Sequence, residues 1–171
     1  MPPVRWFQLN DGVKMKERSG EHPFGDSGQL ILLVLFLLIW VVDSFLLRIS
    51  TFLSDDISLY IRLIILGLIL VTAVYLIRSG HVVVKHEQRP SGVVSTGAFQ
   101  YVRHPLYLGS IMFYLGLAVA TASLFSLVLV VLIFIFYNFI ASYEEKLLQD
   151  RFHEEYRNYQ KRTGKWLPMI C

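Results

Sequence analysis

Hydrophobic residues in this chain come in long unbroken runs rather than in strand-like alternation. Across residues 29–47 only Asp43 interrupts the apolar character, and roughly 19 residues at a helical rise of about 1.5 Å cross about 30 Å of hydrocarbon. A short Ser/Asp segment at 50–56 precedes a second apolar run, 57–77, broken only by Arg62. Residues 106–143 contain no Asp, Glu, Lys or Arg, and roughly 38 residues is about twice what one crossing needs. That run must turn back, and Thr121, Ala122 and Ser123 near its middle predict a tight helical hairpin. Gly109, Gly116 and Ala120 recur at helical spacing on its first arm, where small residues let two backbones approach closely. The pattern predicts an all-α, polytopic integral membrane protein with about four transmembrane helices. It comprises one domain over 1–171: a polar arm (1–28), two helices (29–77) and a core (78–171) built around the hairpin.

Composition agrees with that reading. Of 171 residues, 54% are hydrophobic and only 17% charged, against about 25% charged in an ordinary soluble domain, and the mean hydropathy is +0.51. No room is left for a separate soluble catalytic module. The polar arm is too long, and the apolar run after it too extended, for a cleaved signal peptide. The one cysteine, Cys171, excludes an intrachain disulfide and Cys-rich metal sites. The net charge of +3 is too small for a nucleic-acid footprint. Its distribution says more: of the 16 Lys and Arg, all but Arg48 and Arg62 lie in the arm, in 78–103, or from Lys146 onward. The positive-inside rule therefore predicts both termini and the central polar segment in the cytoplasm.

Polar chemistry concentrates in two stretches on that side. The first, following the second helix, is too long for a simple turn and mixes valines, aromatics and histidines, which points to an ordered, ligand-facing loop. Within it Pro90 ends any helix that continues from the second span, and Gly92 and Gly97 break regular structure. Arg103-His104-Pro105 predicts a helix start at Pro105, because proline suits the first helical position and excludes its predecessor from helical conformation. The free N–H groups of that terminus, beside Arg103 and His104, suit a carboxylate or phosphate. Alternatively both side chains snorkel to lipid headgroups. In the second stretch Glu145, Leu148, Phe152, Tyr156 and Tyr159 form a helical stripe. Glu145 thus falls on the apolar side, where a carboxylate at a membrane boundary marks a functional candidate. Glu144, Glu154 and Glu155 read as solvated surface.

No GxGxxG, P-loop or GxSxG is present, so a Rossmann site and a serine nucleophile lack their markers. His81 and His86, five apart, do not share a helix face as a metal pair would, and no metal is expected.

Residues 97–109 (GAFQYVRHPLYLG), the uncharged hairpin, Glu144-Glu145 and the closing RFHEEYRNYQKRTGKWLP together resemble the isoprenylcysteine carboxyl methyltransferase family and its phospholipid methyltransferase relatives. The resemblance covers roughly 78–170. It implies use of S-adenosylmethionine, released as S-adenosylhomocysteine, without a Rossmann domain, and a lipid or lipidated acceptor entering from the bilayer. It implies cofactor contacts at Val84, Ser91, Gly92, Val93, Val94, Phe99, His104, Pro105, Leu106, Tyr107 and Glu145. The helix start at Pro105 would then meet the cofactor's carboxylate, Glu145 its ammonium or ribose hydroxyls, and the aromatics its adenine and sulfonium. Arg103, His104 and Glu145 are the catalytic candidates. One position departs from the pattern: Ile140 stands where carboxyl methyltransferases of this family carry an arginine. The expected activity is carboxyl methylation of a prenylcysteine-like acceptor. The alternatives are N-methylation of an ethanolamine headgroup and a non-enzymatic membrane carrier.

Overall fold

The structure is a computed structural model that describes residues 25–86 and 92–169, with the side chains of 25, 26 and 83–86 left undescribed. Four helices account for most of it: α1 (Gly25–Val41), α2 (Leu59–His86), α3 (Pro105–Thr121) and α4 (Leu124–Arg162). Among the described residues strand pairing is limited to one isolated parallel bridge, Val102 with Gly164. Three helices are long and apolar enough to cross a membrane, and α3 is a shorter apolar one. Their outward residues, among them Leu30, Leu38, Leu68, Val71, Val131 and Ile135, are exposed, as lipid contact requires. The architecture is that of an all-α polytopic membrane protein.

The central element is α3. Its small residues seat it against α2: a Cβ on Gly109 would lie 2.7 Å from the Ile77 side chain and 3.0 Å from the Ala73 carbonyl, and one on Gly116 would lie 3.1 Å from Leu66. On its other side Ile111, Tyr114 and Ala118 pack with Phe36 of α1 and with Val130, Ile133 and Tyr137 of α4. The hairpin falls where small and hydroxylated residues predict it: Ala122 takes a left-handed conformation (φ 51°), and the Ser123 side chain caps α4 by accepting from Ser126 N–H.

At this end of the bundle Asp43 is buried within a π-helical turn, Val42–Leu47, that continues α1. Its Oδ1 accepts from Ser50 N–H at 3.0 Å, and its Oδ2 from the hydroxyls of Ser50 and Ser123 at 2.5 and 2.6 Å. Arg62 donates to the carbonyls of Ile57, Ser54 and Ala120. Backbone groups and serine hydroxyls thus absorb the charges of Asp43 and Arg62 and tie the helix ends together.

Two boundaries depart from expectation. The second helix does not stop near residue 77 but runs to His86, so residues 78–86 are helix rather than loop; Pro90, expected to end it, lies outside the described residues. The fourth helix does not end near Tyr143 either. It continues through the polar stretch to Arg162 with a sharp bend at His153 (φ 44°, ψ −117°), because Glu144 and Glu145 find partners that keep the helix intact. Residues 124–143, about 30 Å of helix, form the uncharged spanning part; the rest lies in a polar layer beyond it.

Candidate functional site

The polar layer is built from the loop before α3, the far half of α4, and residues 163–166 folding back between them. Gly97 (φ 60°) opens a single 3-10 turn, Gly97–Gln100, in a conformation glycine adopts freely. The turn is anchored to α2 by Ala98 N–H donating to Ser79 Oγ at 2.9 Å. Val102, buried, pairs with Gly164, and Arg103 N–H donates to the Gly164 carbonyl at 2.9 Å. His104 is the residue before α3, and its side chain makes no capping bond to that helix.

This arrangement brings the catalytic candidates together. His104 Nε2 lies 3.1 Å from Glu145 Oε1, and Arg103 Nε lies 3.2 Å from the same oxygen. The Arg103 and Glu145 side chains are each 13% exposed and His104 7%, so neither basic residue snorkels to headgroups. Buried Arg103 Nε has no aligned hydrogen-bond acceptor despite the near carboxylate, so its N–H remains directed elsewhere. Gln160 Nε2 reaches Glu145 Oε2 at 3.4 Å and is itself held by Gln149. Burial pushes the Glu145 carboxyl up, but the His104 hydrogen bond and the Arg103 charge outweigh it and hold the group below the usual range. Burial drives the His104 imidazole below its ordinary value, against the opposing pull of Glu145. The pair is therefore a carboxylate and a neutral imidazole at neutral pH.

Next to this cluster is a cleft of about 180 Å³ lined by Gly92, Val93, Val94, Phe99, Arg103, Leu148, Phe152, Tyr156 and Tyr159. Four of those residues are the stripe that periodicity places behind Glu145. The Tyr159 hydroxyl donates to the Phe99 carbonyl at 2.6 Å, fixing the loop against α4. Val93 and Tyr159 also line a polar cleft of about 440 Å³ with Ser95, Gln100, Glu155, Asn158, Arg162 and Thr163. Only the larger falls within the usual volume range of small-molecule sites. Together they offer an aromatic slot beside hydrogen-bonding groups.

The remaining expected residues divide. Pro105 and Leu106 pack on Gly80 of α2 rather than on the cleft. The Tyr107 ring stacks on Tyr137 at 5.2 Å and its hydroxyl donates to Glu144 at 2.5 Å. Val84 lies in α2 with its side chain undescribed, and Ser91 lies outside the described residues. Of the glutamates read as solvated surface, Glu144 is not so: it is 14% exposed and faces His104 Nδ1 at 3.8 Å. Glu155 is exposed as expected, and it also accepts from Val93 N–H at 2.7 Å. Glu154, paired with Arg157, is exposed as expected. Sequence reasoning also missed Lys165 and Trp166. The Trp166 indole donates to Asn138 Oδ1 at 3.0 Å, and its ring lies 5.9 Å from His104. A tryptophan directly after a lysine, in a segment following a charged helix, was the available signal.

Ile140, the departure noted above, is buried at 1% exposure in the bundle. Its side chain therefore brings no charge to the site.

Comparison with known proteins follows these lines. Over 93 residues the chain is 32% identical to the protein-S-isoprenylcysteine O-methyltransferase of Saccharomyces cerevisiae, covering 53% of this chain and 38% of that one. Over 70 residues it is 37% identical to methanethiol S-methyltransferase 1 of Bradyrhizobium diazoefficiens, covering 41% and 24%. The chain thus spans well under half the length of these relatives. No solved structure matches. The family model for phospholipid methyltransferase matches residues 57–155, more than half of the sequence, and takes in α2, the loop, α3 and most of α4. The chain belongs to the phospholipid methyltransferase family.

Proposed function

We propose that this protein is an S-adenosylmethionine-dependent membrane methyltransferase acting on a lipid-linked acceptor, with a prenylcysteine-like carboxylate as the first reading. The carrying observation is the convergence of Arg103 and His104 with Glu145 at the edge of an aromatic cleft, from two segments 41 residues apart in sequence. Family membership and the printed name of the yeast relative support it.

The residues suit the cofactor. An aromatic slot (Phe99, Phe152, Tyr156, Tyr159) accommodates a flat base and a sulfonium. The adjoining polar cleft, with Asn158 and Glu155, offers partners for ribose hydroxyls. The unaligned Arg103 N–H and the start of α3 suit a carboxylate, and Glu145 suits an ammonium. Gly92, Val93 and Val94 form the loop side of the slot. Pro105 and Leu106 act by placing the helix start, and Tyr107 by holding Glu144. When bound, S-adenosylmethionine supplies an activated methyl group for in-line displacement.

What the protein contributes is alignment and exclusion of water, and orientation of this kind can supply about 7–11 kcal/mol. A carboxylate acceptor needs no base. An amine acceptor must first lose a proton, and the neutral His104 imidazole, held by Glu145, can take it. That imidazole is the observation favouring the second reading, N-methylation of an ethanolamine headgroup. The charge asymmetry supports a cytoplasmic position for this layer and for both termini.

The test is methyl transfer from methyl-labelled S-adenosylmethionine in vesicles containing phosphatidylethanolamine and an N-acylated S-farnesylcysteine. Base-labile label in the prenylcysteine is the expected result. Base-stable label in the phospholipid selects the second reading. Label in neither pool, with no binding of S-adenosylhomocysteine, overturns both and leaves the carrier.

A further inference from the structure

Lys165 stands apart from the cluster used above. Its ammonium donates to the Asn138 carbonyl at 3.2 Å and to Ser142 Oγ at 2.7 Å. An ammonium has three donors, so one remains. Asn138 and Ser142 lie on α4 about two turns and one turn before Glu145, toward the membrane, so Lys165 is held nearer the bilayer than Arg103, which lines the cleft. The surroundings match an interface. Phe134 and Phe139 on α4 are exposed, Leu167 is 76% exposed, and the Trp166 ring packs against Phe134 at 5.4 Å while its N–H is fixed by Asn138. Lys165 also lies 5.8 Å from the centre of the Trp166 ring.

An acceptor moving from lipid toward Glu145 along this face of α4 meets Lys165 first. A lysine pinned by two neutral oxygens, without a carboxylate in direct contact, keeps its charge available to an incoming anion. Its electrostatic neighbours are Glu145, His104 and Arg103. It is therefore coupled to the reacting end of the site while sitting at the lipid end.

We infer that Lys165 binds the anionic group of the lipid acceptor, a carboxylate or a phosphodiester, at the bilayer mouth of the site and so determines which acceptors are taken. The inference rests on the methyl-transfer reading and adds to it a residue outside the Arg103–His104–Glu145 cluster.

The experiment measures affinity of the full chain in detergent for four ligands: an N-acylated S-farnesylcysteine, its neutral carboxamide, a short-chain phosphatidylethanolamine and a matching diacylglycerol. S-adenosylhomocysteine affinity is measured alongside. In the unsubstituted protein one anionic ligand should bind on the order of tenfold tighter than its neutral counterpart. Lys165→Met should reduce that ratio to about one, Lys165→Arg should restore most of it, and neither should move S-adenosylhomocysteine affinity. Discrimination within the farnesyl pair identifies a carboxylate, and discrimination within the glyceride pair a phosphodiester. A ratio unchanged by Lys165→Met, an unsubstituted protein that discriminates in neither pair, or a Lys165→Met protein that loses S-adenosylhomocysteine equally overturns the role of Lys165. Absence of S-adenosylhomocysteine binding to the unsubstituted protein instead marks failure of the methyl-transfer reading itself.

Discussion

Asp43 and Glu145 are both withdrawn from solvent, at opposite ends of α3 and so about 25 Å apart. Asp43 is surrounded by neutral donors: one backbone N–H and two serine hydroxyls. Glu145 is surrounded by an arginine, an imidazole and a side-chain amide. Both violate the rule that membrane-embedded acids are costly, and the rule alone nominates both as functional. Their partners separate them. Neutral hydroxyls saturate Asp43 and leave nothing for a ligand, so its network joins helix ends. The cationic and titratable partners of Glu145 sit beside a cleft and retain unused donors. A buried acid is thus read by what surrounds it rather than by its depth.

Three experiments sharpen the contrast. The largest effect is expected from Glu145→Gln, which keeps the shape and removes the charge facing Arg103. Methyl transfer should fall on the order of 100-fold, measured as kcat/KM on reconstituted protein, with thermal unfolding little altered. Asp43→Ala should do the reverse. Removing an acceptor shared by three donors should cost about 2–3 kcal/mol of stability, seen as a lower unfolding midpoint in detergent, while kcat/KM of the folded fraction stays within about twofold. If both variants lost activity and stability in the same proportion, the distinction between the two ends would be wrong.

The smallest effect concerns pH. The His104 pKa is lowered on folding, so the unfolded chain binds more protons in the window below the ordinary value of 6.5. Stability from His104 is therefore fully present above about pH 6.5 and is lost as pH falls toward the folded-state value. Glu145, also lowered on folding, adds a second loss below its ordinary value of 4.5. Unfolding midpoints followed from pH 7.5 to 5.5 should decline, and the decline should flatten in His104→Gln. The Asp43 end contributes nothing in that window.

Hydrophobic runs made the helices legible, because spanning a bilayer leaves few alternatives to long apolar helices. The hairpin at 121–123 and the start at Pro105 were legible for local steric reasons. The continuation of α2 to His86 was not, since Ser79 finds its partner, Ala98 N–H, in a later loop; the helix past Tyr143 was legible as the stripe 145–159, but its fusion with the spanning part was not. Tertiary partners likewise hid the burial of Glu144 and the loop contact of Glu155. Each is polar on a helix surface by pattern, and each is claimed by a hydroxyl or N–H from a segment tens of residues away. Arg103, His104 and Glu145 were nominated from sequence because a helix start and an apolar stripe are local signals. Lys165 had no such signal, as its partners lie on α4 and its own segment is irregular.

The backbone pairing of residues 102 and 103 with Gly164 has a consequence for biosynthesis. Chains emerge amino end first, and α1 to α3 can enter the bilayer while residues 163–166 are still to be made. Until that segment arrives and docks, the loop before α3 lacks its backbone partner and His104 lacks the neighbouring indole. The order of synthesis therefore makes the setting of that loop a late event relative to the insertion of α1 to α3.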